Sequence, residues 1–529
     1  MNSVKTCKSI YIYTYKMAPH CCQRLMQKIH SKDIKLDEYG KAKEFCLLSI
    51  ARPHMRAFHS SWFCFFIAFT AWFGIQPLLP TIIKELHLSR KDVANSGIAS
   101  VAATIIVRVS AGHLCDKFGP RRVMATLLVI GSIPLALSGL ITSGTGLIVV
   151  RLFIGFLGGT FVPCQFWTSI MFNYKIVGTA NAMVGGWGNL GGGFTFLLMP
   201  AVFQLIKTMG VHEFLAWKIA VVVPAVICSA TGISILFTSD DCPQGEWINR
   251  RHAHAKTEEL RAVHEENLPM KGHHKSHLNK QPKVWTYITI SLLIIQYGMC
   301  FGVEIAGNTI LNLYFLYKFK IEGCNETTVT ISNNNSTGVT LIGVEEVDLS
   351  CSVLNQSTAS LIASLFGLMN LFARALGGTF SDVFFKHYKI PGRLLAHQLC
   401  LAGEGIMLVI FSQMKTIPSA IFVLIITSLF VQASEGTTYS IVPYVHAKRI
   451  GVIAGVVGAG GNTGALIWNT IWVQLVDVEP SWWFWIIGVI VFSGSMFTML
   501  LRVEGMTIWH ILRKQEKGEN GENETALER

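Results

Sequence analysis

The sequence predicts an all-α polytopic membrane protein with twelve transmembrane helices in two pseudo-symmetric six-helix bundles. Three observations carry that expectation. The 529 residues are 51% hydrophobic and only 14% charged, too apolar for an ordinary soluble chain. Apolar runs of about 20 residues, the length that crosses a hydrocarbon core, recur throughout. Two motifs also occur twice at nearly one offset. Arg108-Val-Ser-Ala-Gly112-His-Leu-Cys-Asp116 and Arg374-Ala-Leu-Gly-Gly378-Thr-Phe-Ser-Asp382 lie 266 positions apart, and Gly185-Gly-Trp-Gly-Asn189-Leu-Gly-Gly-Gly193 and Gly458-Ala-Gly-Gly-Asn462-Thr-Gly464 align at 273.

Residues 1–55 mix Lys, Tyr, His and Cys without an apolar core, which excludes a secretory signal and predicts a poorly ordered cytoplasmic leader. Met17 serves as well as Met1 for a start. The N-terminal bundle, 56–237, is expected to hold spans near 60–83, 94–114, 123–142, 146–170, 177–206 and 216–237. The C-terminal bundle, 286–505, is expected to hold spans near 286–316, 358–380, 394–412, 417–440, 450–475 and 482–502, followed by a cytoplasmic tail, 506–529.

Alternating these spans from a cytoplasmic start puts Lys117, Arg121, Arg122, Lys175, Lys386, Lys389, Arg393, Lys448, Arg449 and the whole basic segment 238–285 inside. That is the positive-inside bias, and it accounts for the net charge of +12 without nucleic acid as a partner. The same count places the 317–357 loop outside. This loop carries glycosylation sequons at Asn325, Asn334, Asn335 and Asn355, and Cys324 and Cys351, free to pair in an oxidising compartment. A further sequon, Asn523, falls in the inside tail.

The polar, basic segment 238–285 reads as a solvated linker between the bundles. Its His252, His254, His273, His274 and His277 are metal donors by type, but a flexible polar loop explains them as well. No C-x-x-C pair occurs among the thirteen cysteines. No metal, cofactor or enzyme activity is expected, since no metal spacing, nucleophile–base pair or cofactor motif survives its membrane context. Gly186-Trp-Gly188-Asn-Leu-Gly191 matches the dinucleotide fingerprint in letters only, with no strand–helix unit around it.

The two arginines are the anomaly. Asp116 and Asp382 mark the cytoplasmic ends of spans two and eight, and eight helical residues back is about 12 Å, close to the midplane of a ~30 Å core. Arginine at that depth costs at least about 3 kcal/mol, so it needs a partner. Buried acids are one answer, and the spans contain Glu304, Glu404 and Glu435. No acid repeats with the arginines, however, and a matched pair of cations with unmatched acids suits an anion site at the interface of two halves. Guanidinium presents a planar fork of donors, which fits a planar oxyanion better than a lysine would. The glycines permit close helix approach. Asn189 and Asn462 read either as interhelical contacts or as donors to the anion.

Gly112-His-Leu-Cys-Asp116-Lys-Phe-Gly119-Pro-Arg121-Arg122 resembles the loop motif of the major facilitator superfamily, with a degraded second copy after span eight. The two glycine–asparagine stretches resemble the signatures of its nitrate/nitrite porter family. Ala51-Arg-Pro-His-Met-Arg-Ala-Phe-His59 and Ala71-Trp-Phe73 resemble the eukaryotic, high-affinity nitrate transporter branch. The resemblance covers about 51–505. It implies the major facilitator fold, with nitrate held by Arg108 and Arg374. Asn189 would contact the ion, and Phe69, Tyr297 and Phe301 would form aromatic walls. Asn462 is the second-half counterpart of Asn189. Gly112, Asp116, Gly119, Arg121, Arg122 and Asp382 would form a cytoplasmic gate.

Nitrate entry into a negative interior is uphill by about 2.3 kcal/mol per 100 mV, so uptake needs coupling. The resemblance implies proton symport, with nitrite as a second candidate substrate, and Glu304 and Glu435 are the intramembrane acids able to carry the proton. A nitrate/nitrite exchanger and a nitrate sensor without transport are the alternatives. Nitrate, protons and the lipid bilayer are the expected partners, with a small accessory membrane subunit as in some relatives. The plasma membrane is the expected location and an internal membrane the alternative, with both termini cytoplasmic.

Overall fold

A computed structural model describes residues 34–88, 90–249, 283–321, 352–354, 356–446, 449–475 and 478–511. Within them, twelve helices are long and apolar enough to cross a membrane. They are α1 (His54–Leu78), α2 (Asn95–Phe118), α3 (Pro120–Leu140), α4 (Gly144–Met171), α5 (Val177–Thr208), α6 (Glu213–Thr238), α7 (Val284–Leu311), α8 (Leu361–Tyr388), α9 (Ile390–Ser412), α10 (Ile417–Val445), α11 (Ile450–Trp472) and α12 (Ser481–Leu500). The expected spans are all present. The first starts six residues earlier than expected, and the eighth runs on to Tyr388, so Asp382 lies inside its helix.

The packing repeats under a shift of six helices. In the N-terminal half α1 packs on α5, α2 on α4 and α3 on α6; in the C-terminal half α7 packs on α11, α8 on α10 and α9 on α12. Two long crossings join the halves, α2 with α11 and α5 with α8, again related by the shift. Small residues make these crossings close. A Cβ on Gly112 would strike the carbonyl oxygen of Gly451, and one on Gly378 would strike that of Gly178. The outer surface carries large apolar side chains such as Ile106, Phe237, Leu361 and Phe422, each more than 60% exposed, as lipid contact requires.

Two helices break within their spans. In α4, Gly155–Thr160 tightens into a 3₁₀ turn, since three glycines in six residues support an α-helix poorly. The loosened carbonyls find donors: Gly155 O accepts from Thr104 Oγ1 at 2.8 Å and Gly158 O from Arg108 Nε at 3.0 Å. In α8 the turn Met369–Leu371 is 3₁₀ and the helix resumes at Ala373, one residue before Arg374. No glycine or proline causes this break. The Leu371 carbonyl instead accepts from Trp187 Nε1 of α5 at 3.0 Å, and the Asn370 amide bonds Glu304 of α7.

The leader departs from the expectation of disorder where it is described. Residues 34–52 form a bent strap against the turn between α4 and α5. Ala42 N donates to Met171 O at 3.0 Å, and Asn173 N donates to Ala42 O at 2.8 Å. Asp37 Oδ1 closes the strap's turn by accepting from Tyr39 N and Lys41 N at 2.9 and 2.8 Å. The start of the 238–285 linker is likewise structured, as a small hairpin in which Cys242 and Gly245 pair. The five linker histidines, Cys324, Cys351, Asn325, Asn334, Asn335 and Asn355 lie outside the described residues.

Candidate functional site

Arg108 of α2 and Arg374 of α8 are both 0% exposed and converge on one ring. Their Cζ atoms lie 4.9 and 5.5 Å from the centroid of Phe161, the first residue after the α4 break. Tyr297 and Phe301 of α7 are parallel to each other, 5.2 Å apart at 4°. Phe161 faces both, at 6.1 Å and 18° and at 6.0 Å and 22°. Arg108 Cζ is also 5.0 Å from the Phe301 centroid. The aromatic walls are therefore Phe161 from one half and Tyr297 with Phe301 from the other, and the quadrupoles of their faces favour the two cations. Tyr439 of α10 closes the edge, 4.9 Å from Phe161 and 5.0 Å from Tyr297, with its hydroxyl donating to Ala454 O at 2.9 Å.

The two guanidinium groups are satisfied differently. Arg108 donates through Nε to Gly158 O at 3.0 Å and through Nη1 to Gly458 O at 2.7 Å, leaving Nη2 without a partner among the described residues. Arg374 donates through Nη1 to Glu435 of α10 in a fully buried ion pair and through Nη2 to Tyr297 Oη at 3.1 Å, leaving Nε without one among them. So the acid-neutralised reading holds for one arginine and fails for the other. An unmet buried donor costs about 1–3 kcal/mol, and here such donors sit on both arginines beside one pair of aromatic walls. This geometry asks for an acceptor-rich, flat anion.

The remaining expected residues distribute around this centre. Glu304 lies close to Glu435 and is held by Asn370 and by Asn189 Nδ2 at 3.4 Å, so the α5 asparagine faces an acid here and not an arginine. Asn462 is 0% exposed with both amide atoms unpartnered, next to Gly461, whose backbone lies against Tyr297 and Phe301. Phe69 is displaced from the expected wall. It packs on Phe65, Trp72 and Phe73 at 4.4, 5.1 and 5.7 Å, and Phe65 is the α1 ring that meets Phe161, at 5.5 Å. The cause is Gly188, where any Cβ would strike the Phe65 ring, so the α5 glycines admit Phe65, one turn nearer the N-terminus of α1. Phe161, Phe65 and Tyr439 were not expected as site residues. For Phe161 the readable signal was the glycine-rich break just before it.

Both motif aspartates bridge the halves. Asp116 accepts from Gly451 N and Val452 N, each at 3.2 Å, at the N-terminus of α11. Asp382 accepts from Gly178 N at 3.2 Å, Thr179 N at 2.7 Å and Thr179 Oγ1 at 2.7 Å, at the N-terminus of α5. Each carboxylate thus caps a helix of the opposite bundle, with the helix dipole in its favour. Together they tie the two halves on one side of the arginines. Arg393 completes the second latch, donating to Asp382 at 2.6 Å and to Tyr174 O at 2.8 Å. In the first half Arg121 turns aside to Asp241 and, bidentately, to Glu246 at 2.7 and 2.8 Å. Arg122 reaches Glu246 at 3.7 Å. Burial lifts the Asp241 carboxyl above the usual carboxylate range, against the pull of Arg121. Gly119 has φ +88° with Trp247 packed where a Cβ would stand, which excludes any other residue at this turn.

Twelve helices in two related halves, with a charged site at their interface and latches on one side, define a secondary transporter rather than an enzyme. Residues 61–468 match the Major Facilitator Superfamily. High affinity nitrate transporter 2.5 of Arabidopsis thaliana is 35% identical over 82% of this chain and 77% of its own length. Nitrate transporter 2.1 of Chlamydomonas reinhardtii is 33% identical over 83% and 72%. The nitrate/nitrite transporter NrtP of a Picosynechococcus strain is 29% identical over 80% and 85%. Among solved structures the proton:xylose symporter XylE matches in fold, with a TM-score of 0.58 at 12% identity over 86% of this chain and 98% of that one. The chain belongs to the major facilitator superfamily and, within it, to the nitrate/nitrite porter family.

Proposed function

We propose that the protein imports nitrate by proton symport through alternating access. The observation that carries this reading is the buried pair of Arg374 with Glu435. Nitrate needs the fork that Glu435 holds, and Glu435 releases it only on taking up a proton. Nitrate then replaces the carboxylate charge, so the net charge of the dry site stays constant while one anion and one proton enter together. Leaving either charge uncompensated costs several kcal/mol, which makes the coupling strict. The proton also cancels the work of about 2.3 kcal/mol per 100 mV that a lone nitrate would face.

Arg108, Arg374 and Asn462 supply donors, Phe161, Tyr297 and Phe301 supply the walls, and Glu304, beside Asn189, is a further proton acceptor near Glu435. The cytoplasmic latches hold the chain closed to the inside while the site loads from outside. On this reading the termini and the basic loops face the cytoplasm, the 317–357 loop with its sequons faces outward, and the plasma membrane is the site of action. Nitrate uptake into proteoliposomes is the test. An inward proton gradient accelerates symport; uptake indifferent to the gradient leaves the exchanger, and no uptake leaves the sensor.

A further inference from the structure

Behind α10, away from the arginines, a polar strip runs between α9 and α10 that neither the clamp nor the latches use. Glu404 and His397 are seven residues apart on α9, on one face and about 10 Å apart in rise, and both are 0% exposed. Ser434 and Thr437 form the facing turn of α10. Neither carboxyl oxygen of Glu404 makes a hydrogen bond among the described residues, and none of their ion pairs includes it. The titratable groups around it are Glu435 of α10, Cys300 of α7 and Cys400 of its own helix, while α12 packs Gly488 and Phe492 against the neighbouring Gly405. None is a cation. A carboxylate so placed loses its hydration for nothing, a penalty of several kcal/mol, so Glu404 is held here as the neutral acid. Ser434, which interacts with this acid, donates its own hydrogen to Phe430 O at 2.8 Å and keeps a lone pair for it.

Both ring nitrogens of His397 have hydrogen-bond partners. Its Nδ1 is 2.9 Å from Thr437 Oγ1 and its Nε2 is 3.3 Å from Gln296 Oε1. Gln296 donates through Nε2 to Gly494 O at 3.2 Å and to Thr498 Oγ1 at 2.8 Å, which leaves Oε1 as an acceptor toward the ring. Thr437 has two settings. Its hydroxyl donates to Ser434 O at 2.9 Å when Nδ1 is protonated, or turns to Nδ1 when it is not. Either charge state of the ring is hydrogen-bonded. His397 is also four residues, about 6 Å of rise, from Arg393 of the cytoplasmic latch.

We propose that Glu404 and His397 form a second proton-binding site, off the nitrate path, which takes the symported proton from Glu435 and delivers it toward the cytoplasm. The proposal rests on the symport reading. Glu404 passes its own proton along the Ser434 and Thr437 hydroxyls to Nδ1 of His397, and from there to water once the latch opens, and the Glu435 acid replaces it. Glu435, now charged, re-forms its pair with Arg374 and displaces nitrate.

Full-length protein in proteoliposomes tests this with two assays, uptake driven by an imposed proton gradient and nitrate/nitrate counterflow at equal pH. Glu404→Gln keeps the shape of the neutral acid. The expected result is a loss of about tenfold or more in gradient-driven uptake with counterflow within about twofold of wild type. Gradient-driven uptake at the wild-type rate in E404Q overturns the relay and leaves symport standing. A wild-type protein that ignores the gradient overturns symport, and the relay with it. If E404Q does not reconstitute as a monodisperse protein, His397→Gln decides by the same pair of assays, and full coupling in H397Q overturns the relay.

Discussion

Glu435 of α10 pairs with Arg374 of α8, whereas Arg108 of α2 gives its hydrogen bonds to the carbonyl oxygens of Gly158 and Gly458 and pairs with no acid among the described residues. The two halves are related by repeat, yet the anion site they build is asymmetric in charge. The fixed cation belongs to the N-terminal half. The cation paired with an acid belongs to the C-terminal half.

That asymmetry predicts the sign of a pH effect. Nitrate binding should strengthen as the pH falls, because protonation of Glu435 frees the Arg374 fork. Glu435→Gln removes the competitor and keeps the shape. Nitrate affinity at neutral pH is expected to rise about tenfold, equivalent to ~1.4 kcal/mol, and to lose its pH dependence. Calorimetric titration of the purified protein across pH 5.5–8 measures both; a variant whose affinity still follows pH like wild type excludes Glu435 as the coupling acid.

The fork matters as much as the charge. Arg374→Lys preserves the cation for Glu435 but cannot serve Tyr297 and an anion in one plane, and Arg108→Lys cannot span Gly158 O and Gly458 O with a donor to spare. One charge-assisted hydrogen bond is worth roughly 1.5–3 kcal/mol, so each variant is expected to bind nitrate about 10–100-fold more weakly. Near-normal affinity in either lysine variant removes the planar-clamp geometry.

Much of this site was legible in the sequence because it is covalently local. Arg108, Gly112 and Asp116 recur as Arg374, Gly378 and Asp382, and one helical repeat fixes their relative depth and face. Features that depend on how one helix slides against another were not legible. The choice of Phe65 over Phe69 turns on which ring the Gly188 gap admits, and both rings have suitable neighbours in sequence. Arg393 was read only as a basic loop residue, since its tie to Asp382 crosses the α8–α9 turn at a spacing unlike that of the first motif copy. The leader's order comes from backbone pairing with the α4–α5 turn, which leaves no mark in composition.

The latches predict a coupled shift. Each aspartate caps a helix across the interface, a contact worth about 0.5–2 kcal/mol, so Asp116→Asn should move the balance toward the cytoplasm-open state by about 2–30-fold. Thr179 Oγ1 and Thr379 Oγ1 lie 3.3 Å apart at the other latch and report on it. A Thr179→Cys, Thr379→Cys pair should cross-link readily on oxidation and arrest transport. Adding Asp116→Asn should lower the yield even though residue 116 touches neither cysteine. An unchanged yield would mean that the two latches open independently.

The strap of residues 34–52 bears on the same gate. Its turn is closed by Asp37, whose Oδ2 accepts from Asn173 Nδ2 at 2.5 Å. The next residue, Tyr174, offers its carbonyl to Arg393 at 2.8 Å and to Tyr444 Oη at 2.7 Å across the interface. Asp37→Ala therefore removes a contact that steadies the peptide on which the second latch closes. Three hydrogen bonds to one carboxylate are lost, and the exposed setting of Tyr39 limits the cost to about 1–3 kcal/mol. The expected outcome has two parts: faster proteolysis ahead of α1, and a lower cross-link yield from the Thr179/Thr379 cysteine pair. Faster proteolysis with an unchanged yield would make the strap a stabilising appendage, with no hold on the gate.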